Sequence, residues 1–166
     1  MKNWVLRLFL AAVVAGGAFY GYRAWHPSAE QAIRKEFAAL ARTASFPQRE
    51  STLARFSRAS KLVGFCTPDV QIVMDVPGHS GQTISGRDEL LAAINGAQAM
   101  AVGLAVEFVD VGVEVAPDRQ SAVVSLTVRG KVSGERDMII QELRCELKCF
   151  KGEWQISRVE TVKTLL

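Results

Sequence analysis

Four consecutive segments in the C-terminal part of this 166-residue chain alternate between apolar and polar residues. Such alternation is typical of half-buried strands, because successive side chains of a strand point to opposite faces. The segments read LAVEFVDVGVEV, SAVVSLTVRGKV, MIIQELRCELKCF and EWQISRVETV, with turn signals at Pro117-Asp118, Ser133-Gly134 and Lys151-Gly152 between them. The pattern predicts a run of antiparallel strands with one apolar face.

Two positions depart from this alternation. The apolar parity of the first segment switches at Phe108-Val109, which predicts a β-bulge. In the third segment, Gln141 stands among apolar residues such as Leu143 on the predicted inner face. The amide of Gln141 would either hydrogen-bond a ligand or satisfy a buried backbone group.

Three segments nearer the N-terminus have apolar residues at the spacing of amphipathic helices. Ser28 is suited to cap the first helix, and Gly64 to end the second. The third helix reads GRDELLAAINGAQAM. The residues expected to face inward are Ile33, Phe37, Leu40 and Ala41 in the first helix, Leu53, Phe56, Leu62 and Val63 in the second, and Leu90, Leu91 and Ile94 in the third.

The segment TPDVQIVMDVPG, between the second and third helices, predicts a turn followed by a strand, and HSGQTISG after it predicts a turn-rich crossing. Asp75 is the carboxylate near the end of that strand, and His79 follows the Pro-Gly turn. Asp75 is therefore either a buried general base or a strand-end residue that faces water. Three helices and five predicted strands give an α+β fold class.

The N-terminal segment MKNWVLRLFLAAVVAGGAFYGYRAWHP predicts a membrane anchor. Residues 3–22 are long enough to cross a bilayer if Arg7 extends its charge to the interface. Aromatic rings stand at both ends of this stretch, as is typical of residues at the headgroup level. A cleaved signal peptide with Gly16-Gly17-Ala18 as its cleavage site is the alternative, and the bulky Phe19-Tyr20 pair favours the uncleaved anchor.

The basic residues predict the orientation of this anchor. Lys2, Arg7 and the free amine outweigh Arg23, so the N-terminus should stay in the cytoplasm. We therefore expect a single-pass protein of the cell (inner) membrane. Residues 1–26 would form the anchor, which contacts the lipid bilayer through residues 3–22. Residues 27–166 would form a domain that faces the periplasm or the outside.

Charge and cysteine spacing exclude several functions. The 20 basic and 17 acidic residues are scattered along the chain, which argues against nucleic-acid binding. Cys66, Cys145 and Cys149 form no Cys-x-x-Cys motif, so we expect no metal and no cofactor. These cysteines are predicted to be buried thiols, the alternative being a bond between Cys66 and one of the other two.

The phrases FCTPDVQIVMDVPG, ISGRDELLAAI and KGEWQISRVE, in this order, resemble the nuclear transport factor 2-like superfamily, which includes ketosteroid isomerase and the SnoaL-like cyclases. The resemblance covers residues 28–166. It implies a curved antiparallel sheet packed on three helices, forming a cone with a pocket at its open end, here preceded by one transmembrane helix. Homodimerisation through the sheet is common in this superfamily, so a homodimer is also implied.

The resemblance also suggests site residues. The general base of the ketosteroid isomerases ends the first strand, and the matching position here is Asp75. The tyrosine that those enzymes carry on the first helix is missing, since Tyr20 and Tyr22 both lie in the membrane segment. His79 would form an Asp-His pair with Asp75, as in some dehydratases and hydrolases of the superfamily, or it is a solvated turn residue.

Two functions remain for this fold. The favoured one is a non-catalytic, membrane-anchored domain that binds a small apolar ligand, with Val73, Gln141 and Leu143 as ligand contacts, or that docks a protein partner outside the cytoplasm. The alternative is an isomerase, dehydratase or hydrolase that acts on a small hydrophobic substrate with Asp75 as general base. The missing oxyanion donors weigh against the enzyme.

Overall fold

The computed structural model describes residues 28–76, 79–100 and 102–162, apart from the side chains of Asp75, Val76, His79, Ser80 and Gln82. The helices are α1 (Ala29–Ala44), α2 (Thr52–Gly64) and α3 (Gly86–Met100). The strands are β1 (Cys66–Val76), β2 (His79–Ser85), β3 (Leu104–Val115), β4 (Ser121–Val132), β5 (Met138–Phe150) and β6 (Glu153–Thr161). Within these described ranges no helix has the length and apolarity needed to cross a membrane. The predicted anchor, residues 1–26, lies outside them.

Helix α1 begins where the sequence predicts. The hydroxyl of Ser28 accepts a hydrogen bond from the backbone N–H of Gln31 (3.2 Å), and the Gln31 side chain accepts one from the backbone N–H of Ser28 (3.3 Å). This reciprocal pair satisfies two N–H groups that would otherwise have no partner at the start of the helix. Ser28 is thus confirmed as the N-cap.

The six strands form one sheet in the order β2-β1-β6-β5-β4-β3. All neighbours are antiparallel except β1 and β6, which run parallel, so the sheet is mixed and not wholly antiparallel as predicted. The prediction of a turn-rich crossing after the first strand was wrong, because His79–Ser85 pairs with β1 as a sixth strand. Pairing with a neighbouring strand outweighs the turn propensity of Gly81, which is accommodated at φ +84°.

The main core lies between the three helices and one face of the sheet, as expected for this fold class. Its fully buried side chains are Ile33, Val70, Val124 and Leu147. The prediction for the inner face of α2 was wrong at two positions, since Leu53 and Phe56 are 78% and 58% exposed. Helix α2 instead turns Ala59 and Val63 inward, together with the side chain of Arg58.

The three cysteines are free thiols, and the burial predicted for all three is found for two of them. Cys66 and Cys145 are buried and belong to the main core, whereas Cys149 is half-buried. Arg87, at the start of α3, donates two hydrogen bonds to the backbone C=O of Cys66, one of them from Nε at 3.0 Å. The start of α3 is thereby tied to the first residue of β1.

Candidate functional site

A bulge in β3 shapes the surface that this strand presents to α1. Val109 pairs with Thr127 and Gly112 with Ser125, so β3 contains one more residue than β4 between these pairs. The extra residue is the exposed Asp110, whose φ of +53° lies in the left-handed region. Because the alternation shifts at this point, Phe108 and Val111 both pack toward the core. The parity switch at Phe108-Val109 predicted this bulge.

An open groove of about 570 Å³ runs between α1 and β3. The helix contributes one stripe of residues at spacings of three and four, and the strand contributes the residues around its bulge. The lining consists of Arg34, Phe37, Ala38, Ala41, Arg42 and Ser45 from α1 and its C-cap, and Val106, Glu107, Phe108 and Val111 from β3.

Hydrogen bonds hold α1 against β3 at both ends of this groove. At one end the hydroxyl of Ser45 accepts from the backbone N–H of Val106 (2.9 Å) and lies 3.3 Å from the Val106 carbonyl oxygen. At the other end Arg34 Nη1 donates to the backbone C=O of Val111 (2.7 Å). Because β3 is an edge strand, these side chains satisfy backbone groups that no neighbouring strand can reach. The spacing between the groove walls is therefore fixed by bonds rather than by packing alone.

The floor of the groove is apolar and aromatic. The rings of Phe37 and Phe108 meet edge to face, with centroids 6.0 Å apart and an interplanar angle of 62°. Charged groups stand at the rim: Arg34, already paired with Glu30 at 2.9 Å, and the exposed Arg42 and Glu107. This lining suits a ligand with an apolar body, and it contains no histidine or pair of carboxylates for proton transfer.

The two predicted catalytic residues lie in paired strands. The backbone of Asp75 is in β1 and that of His79 begins β2, with Val76 opposite His79. The side chains of Asp75 and His79 lie outside the described part of the structure. The predicted Asp-His pair therefore stays a prediction.

Of the three predicted ligand contacts, Gln141 and Leu143 are two residues apart on one face of β5, and Val73 is separate from them. Ile72 and Met74 pack against the core, so Val73 between them lies on the opposite face of the sheet, beside its partner Glu160 in β6. Leu143 packs against the core from β5. None of Val73, Gln141 and Leu143 lines the groove.

Gln141 uses its amide to bond backbone groups. Its Nε2 donates to the carbonyl oxygens of Glu142 (3.0 Å) and Val162 (3.2 Å). The sequence left two roles for this amide, bonding a ligand or satisfying the backbone. These contacts are the backbone partners that the second role requires. The bonds tie the start of β5 to the chain just after β6.

A second group of residues went unnoticed in the sequence. We call it the polar cluster: Glu50, Arg55, Arg58 and Gln98. Arg58 Nη2 forms an ion pair with Glu50 Oε1, and the guanidinium carbon of Arg58 lies 4.9 Å from the centroid of the Phe46 ring. Arg55 Nη1 is 3.5 Å from the carbonyl oxygen of Gln98.

The polar cluster consists of two pairs, Glu50 with Arg58 and Arg55 with Gln98. Arg58 on α2 and Gln98 on α3 are only 8% and 5% exposed. Burial lowers the pKa of the Arg58 guanidinium, because it disfavours the charged form. A usable sequence signal existed on α3, since Gln98 continues the apolar stripe of Leu91 and Ile94 at helical spacing. Among the described side chains, no three His, Cys, Asp or Glu residues are placed to share a metal ion.

Comparison with known proteins identifies the fold. No protein-family model and no curated protein matches the chain. A putative scytalone dehydratase from Novosphingobium aromaticivorans superimposes with a TM-score of 0.62 at 15% identity, covering 82% of this chain and 84% of that one. A nuclear transport factor 2-like protein with a cystatin-like fold from the same species gives 0.61 at 18% identity, covering 97% and 88%.

A third solved structure, a domain of unknown function with a cystatin-like fold from Nostoc punctiforme, gives a TM-score of 0.63 at 16% identity and covers 85% of this chain and 80% of that one. At these identities the likeness establishes the fold and not the activity. The described residues agree with that likeness, because they form one six-stranded sheet with three helices on one of its faces. The chain has the nuclear transport factor 2-like, cystatin-like α+β fold.

Proposed function

We propose that this protein is a membrane-anchored, non-catalytic domain that binds a small apolar ligand in the groove between α1 and β3. Residues 3–22 would form the anchor, and the domain would face the periplasm or the outside. The observation that carries the proposal is the groove itself, with the Phe37–Phe108 ring pair as its floor. The anchor rests on the sequence alone.

Size, lining and rigidity of the groove support this function. A volume of about 570 Å³ lies within the range of small-molecule sites. Apolar burial against Phe37 and Phe108 would supply affinity at roughly 25 cal/mol per Å² removed from water. The bonds of Ser45 to Val106 and of Arg34 to Val111 hold the walls in place, so little ordering would be needed on binding.

Photolabelling with a small uncharged probe, trifluoromethyl-phenyl-diazirine, tests the proposal on the full chain in lipid nanodiscs. Ala38→Trp would fill the groove from its exposed wall without removing a core side chain. Ala92→Trp is the matched control, because Ala92 is an exposed alanine on α3 away from the groove. We expect saturable labelling of the domain that falls at least fivefold in Ala38→Trp and is unchanged in Ala92→Trp.

Mass spectrometry of the labelled peptides separates domain labelling from labelling of the membrane segment. Equal, non-saturable labelling of the wild type and both variants would contradict ligand binding in the groove. Circular dichroism of each variant shows whether it is folded, so that a loss of labelling can be assigned to a filled groove.

The enzyme is the second candidate, and two observations favour keeping it. Val76 pairs with His79, which brings the strand positions of Asp75 and His79 close in the backbone. A protein described as a putative scytalone dehydratase has the same fold. Deuterium exchange next to the carbonyl of 2-tetralone, followed by NMR in D₂O, tests proton abstraction. Catalysis that falls about 100-fold or more in Asp75→Asn would support the enzyme, and exchange at the uncatalysed rate would exclude it for this probe.

A further inference from the structure

The start of α1 and two hairpin turns lie at the same end of the domain. Ser45, which follows the C-terminal end of α1, contacts Val106 of β3. Arg34, which is nearer the start of α1, contacts Val111 of β3. The first turn of α1 therefore points toward the β3–β4 turn, which follows Val115. The backbone N–H of Cys149 donates to the carbonyl of Gln120 (2.8 Å), which places the end of β5 beside that turn.

Strand β5 carries exposed apolar side chains near both ends, with Met138, Ile139 and Ile140 at its start and Phe150 at its end. Ile140 is 62% exposed and Phe150 is 65% exposed. The two are an even number of residues apart, so they share the outer face of the sheet. At about 3.3 Å per residue, they are separated by about 33 Å along the strand. We call these ends of the domain the Ile140 end and the Phe150 end; α1 starts at the Phe150 end.

The proposed anchor limits how far the Phe150 end can be from the bilayer. Only five residues, 23–27, connect the last residue of the anchor to Ser28. Fully extended, they reach at most about 20 Å. The cap formed by Ser28 and Gln31 fixes the start of α1 at this point. If the anchor is in the membrane, the start of α1 must therefore stay close to its surface. We expect the Phe150 end, which shares this end of the domain, to lie toward the bilayer and the Ile140 end to lie away from it.

Phe150 has the chemistry of a membrane contact. It stands beside the β5–β6 turn, and the Nζ of Lys151 lies 5.4 Å from the centroid of its ring. An aromatic ring next to a lysine is typical of the headgroup region, where the ring enters the apolar boundary and the ammonium stays in water. Charges nearby nearly cancel, with Lys148, Lys151 and Arg119 against Asp118 and Glu153, so attraction to anionic lipid contributes little.

We infer that the domain rests on the bilayer surface through its Phe150 end, with the Phe150 ring inserted at the headgroup level. The inference rests on the membrane anchor of the proposed function. The resulting orientation also places Asp75, the candidate general base of the alternative function. Strand β1 runs parallel to β6 and antiparallel to β5, so the strand end that carries Asp75 lies at the Ile140 end, facing away from the lipid.

Electron paramagnetic resonance on the full chain tests the inference. Phe150→Cys and the matched control Ile140→Cys would each carry a nitroxide label in a Cys149→Ser background. Cys66 and Cys145 are buried and should not react. The protein is placed in nanodiscs of phosphatidylcholine and phosphatidylglycerol, and for each label we compare its collision rate with oxygen to its collision rate with a water-soluble nickel complex. We expect the ratio of these two rates to be at least threefold higher at residue 150 than at residue 140. The ratio should not depend on salt.

Flotation of the same protein with vesicles separates the two ways of failing. A chain that does not float with the lipid has no working anchor. This result would contradict both the membrane anchor of the proposed function and the contact through the Phe150 end. A chain that floats while residues 150 and 140 show equal, aqueous accessibility keeps its anchor and overturns the inference alone. Phe150→Glu should leave flotation intact, because the anchor would hold the chain in the membrane.

Discussion

The main core and the polar cluster fill the interior of the domain in two different ways. The core consists of apolar side chains such as Ile33, Val124 and Leu147, each stabilised by leaving water. The polar cluster buries Arg58, which contributes only while its partner Glu50 is present, and Gln98, whose side-chain oxygen has no hydrogen-bond partner. Burial alone therefore does not indicate how much a residue stabilises this fold.

The polar cluster is incompletely satisfied. Among the described residues, Glu50 Oε2, Arg58 Nη1 and Gln98 Oε1 are buried without a hydrogen-bond partner. Each such group costs about 1–3 kcal/mol. We therefore expect the polar cluster to be the less stable of the two regions and the more sensitive to the loss of a single partner.

Breaking the ion pair of the polar cluster should give the largest effect. Glu50→Ala leaves the buried guanidinium of Arg58 without its partner and should lower the free energy of unfolding by about 3–5 kcal/mol. The double variant Glu50→Ala/Arg58→Met removes both charges and should recover most of this loss. Urea denaturation followed by circular dichroism measures both, with the exposed Glu135→Ala as control. A double variant no more stable than Glu50→Ala would contradict the interpretation.

Removing a side chain of the main core should also destabilise the domain, but here no second substitution should restore the stability. Leu147 is 2% exposed, and Leu147→Ala should cost about 3 kcal/mol through lost burial and a cavity. Leu53→Ala, on the exposed face of α2, is the matched control and should change stability by less than about 0.5 kcal/mol. The same urea series measures both, and equal effects would show that burial in the structure is misassigned.

Features that depend on local residues could be predicted from the sequence, and features that depend on tertiary partners could not. Helix α1, its Ser28 cap and the β3 bulge follow from local patterns of apolarity and hydrogen-bonding residues, and the structure has all three. Arg58 was missed because a charged residue on a helix normally faces water, and only its tertiary partners Glu50 and Phe46 make burial tolerable. The exposure of Phe56 was missed for a similar reason. Packing turns the face of α2 that carries Ala59 and Val63 toward the interior, and Phe56 lies on another face.

Alkaline pH should weaken the main core through its thiols. Burial raises the pKa of Cys66 to about 11 and of Cys145 to about 12, from an ordinary value of 9.0, with Arg87 opposing the rise at Cys66. Between pH 9 and 11 the unfolded chain loses these protons and the folded chain keeps them. Stability must then fall as pH rises, by at most about 1.4 kcal/mol per pH unit for each thiol.

The measurement is urea denaturation at pH 8, 9 and 10. At pH 8 both states keep most of these protons, so the slope from the two thiols should be small there and should steepen as pH passes 9. Cys145→Ala should reduce the alkaline slope of the wild type, because one of the two groups is gone. An identical slope in the variant would show that Cys145 is not protected from ionisation in the folded chain.

The smallest expected effect concerns the ring beneath Arg58. Phe46→Leu keeps an apolar side chain but removes the ring whose centroid lies 4.9 Å from the guanidinium carbon. We expect a loss of about 1 kcal/mol. In the Arg58→Met background the same change should cost less, and thermal denaturation of the four proteins measures the difference. Equal losses in both backgrounds would mean that Phe46 acts by packing alone.

The candidate site was harder to predict than the fold. Phe37 and Phe108 were assigned to the core and the bulge, and both are there, but their joint role as a groove floor depends on how α1 lies along an edge strand. Strand order is a long-range property that alternation in the sequence does not encode. Val73 and Leu143 illustrate a related limit. Alternation gives the two faces of each strand, but which face of β1 and of β5 meets the core depends on tertiary packing, and these two side chains lie on opposite faces of the sheet.

The most direct test of ligand binding is to map the attachment site of the diazirine probe on the full wild-type chain by tandem mass spectrometry. We predict saturable labelling on α1 between Arg34 and Ser45 and on β3 between Val106 and Val111, the two walls of the groove. Saturable labelling confined to residues 72–76 and 139–143, at the Ile140 end, would contradict the groove as the binding site.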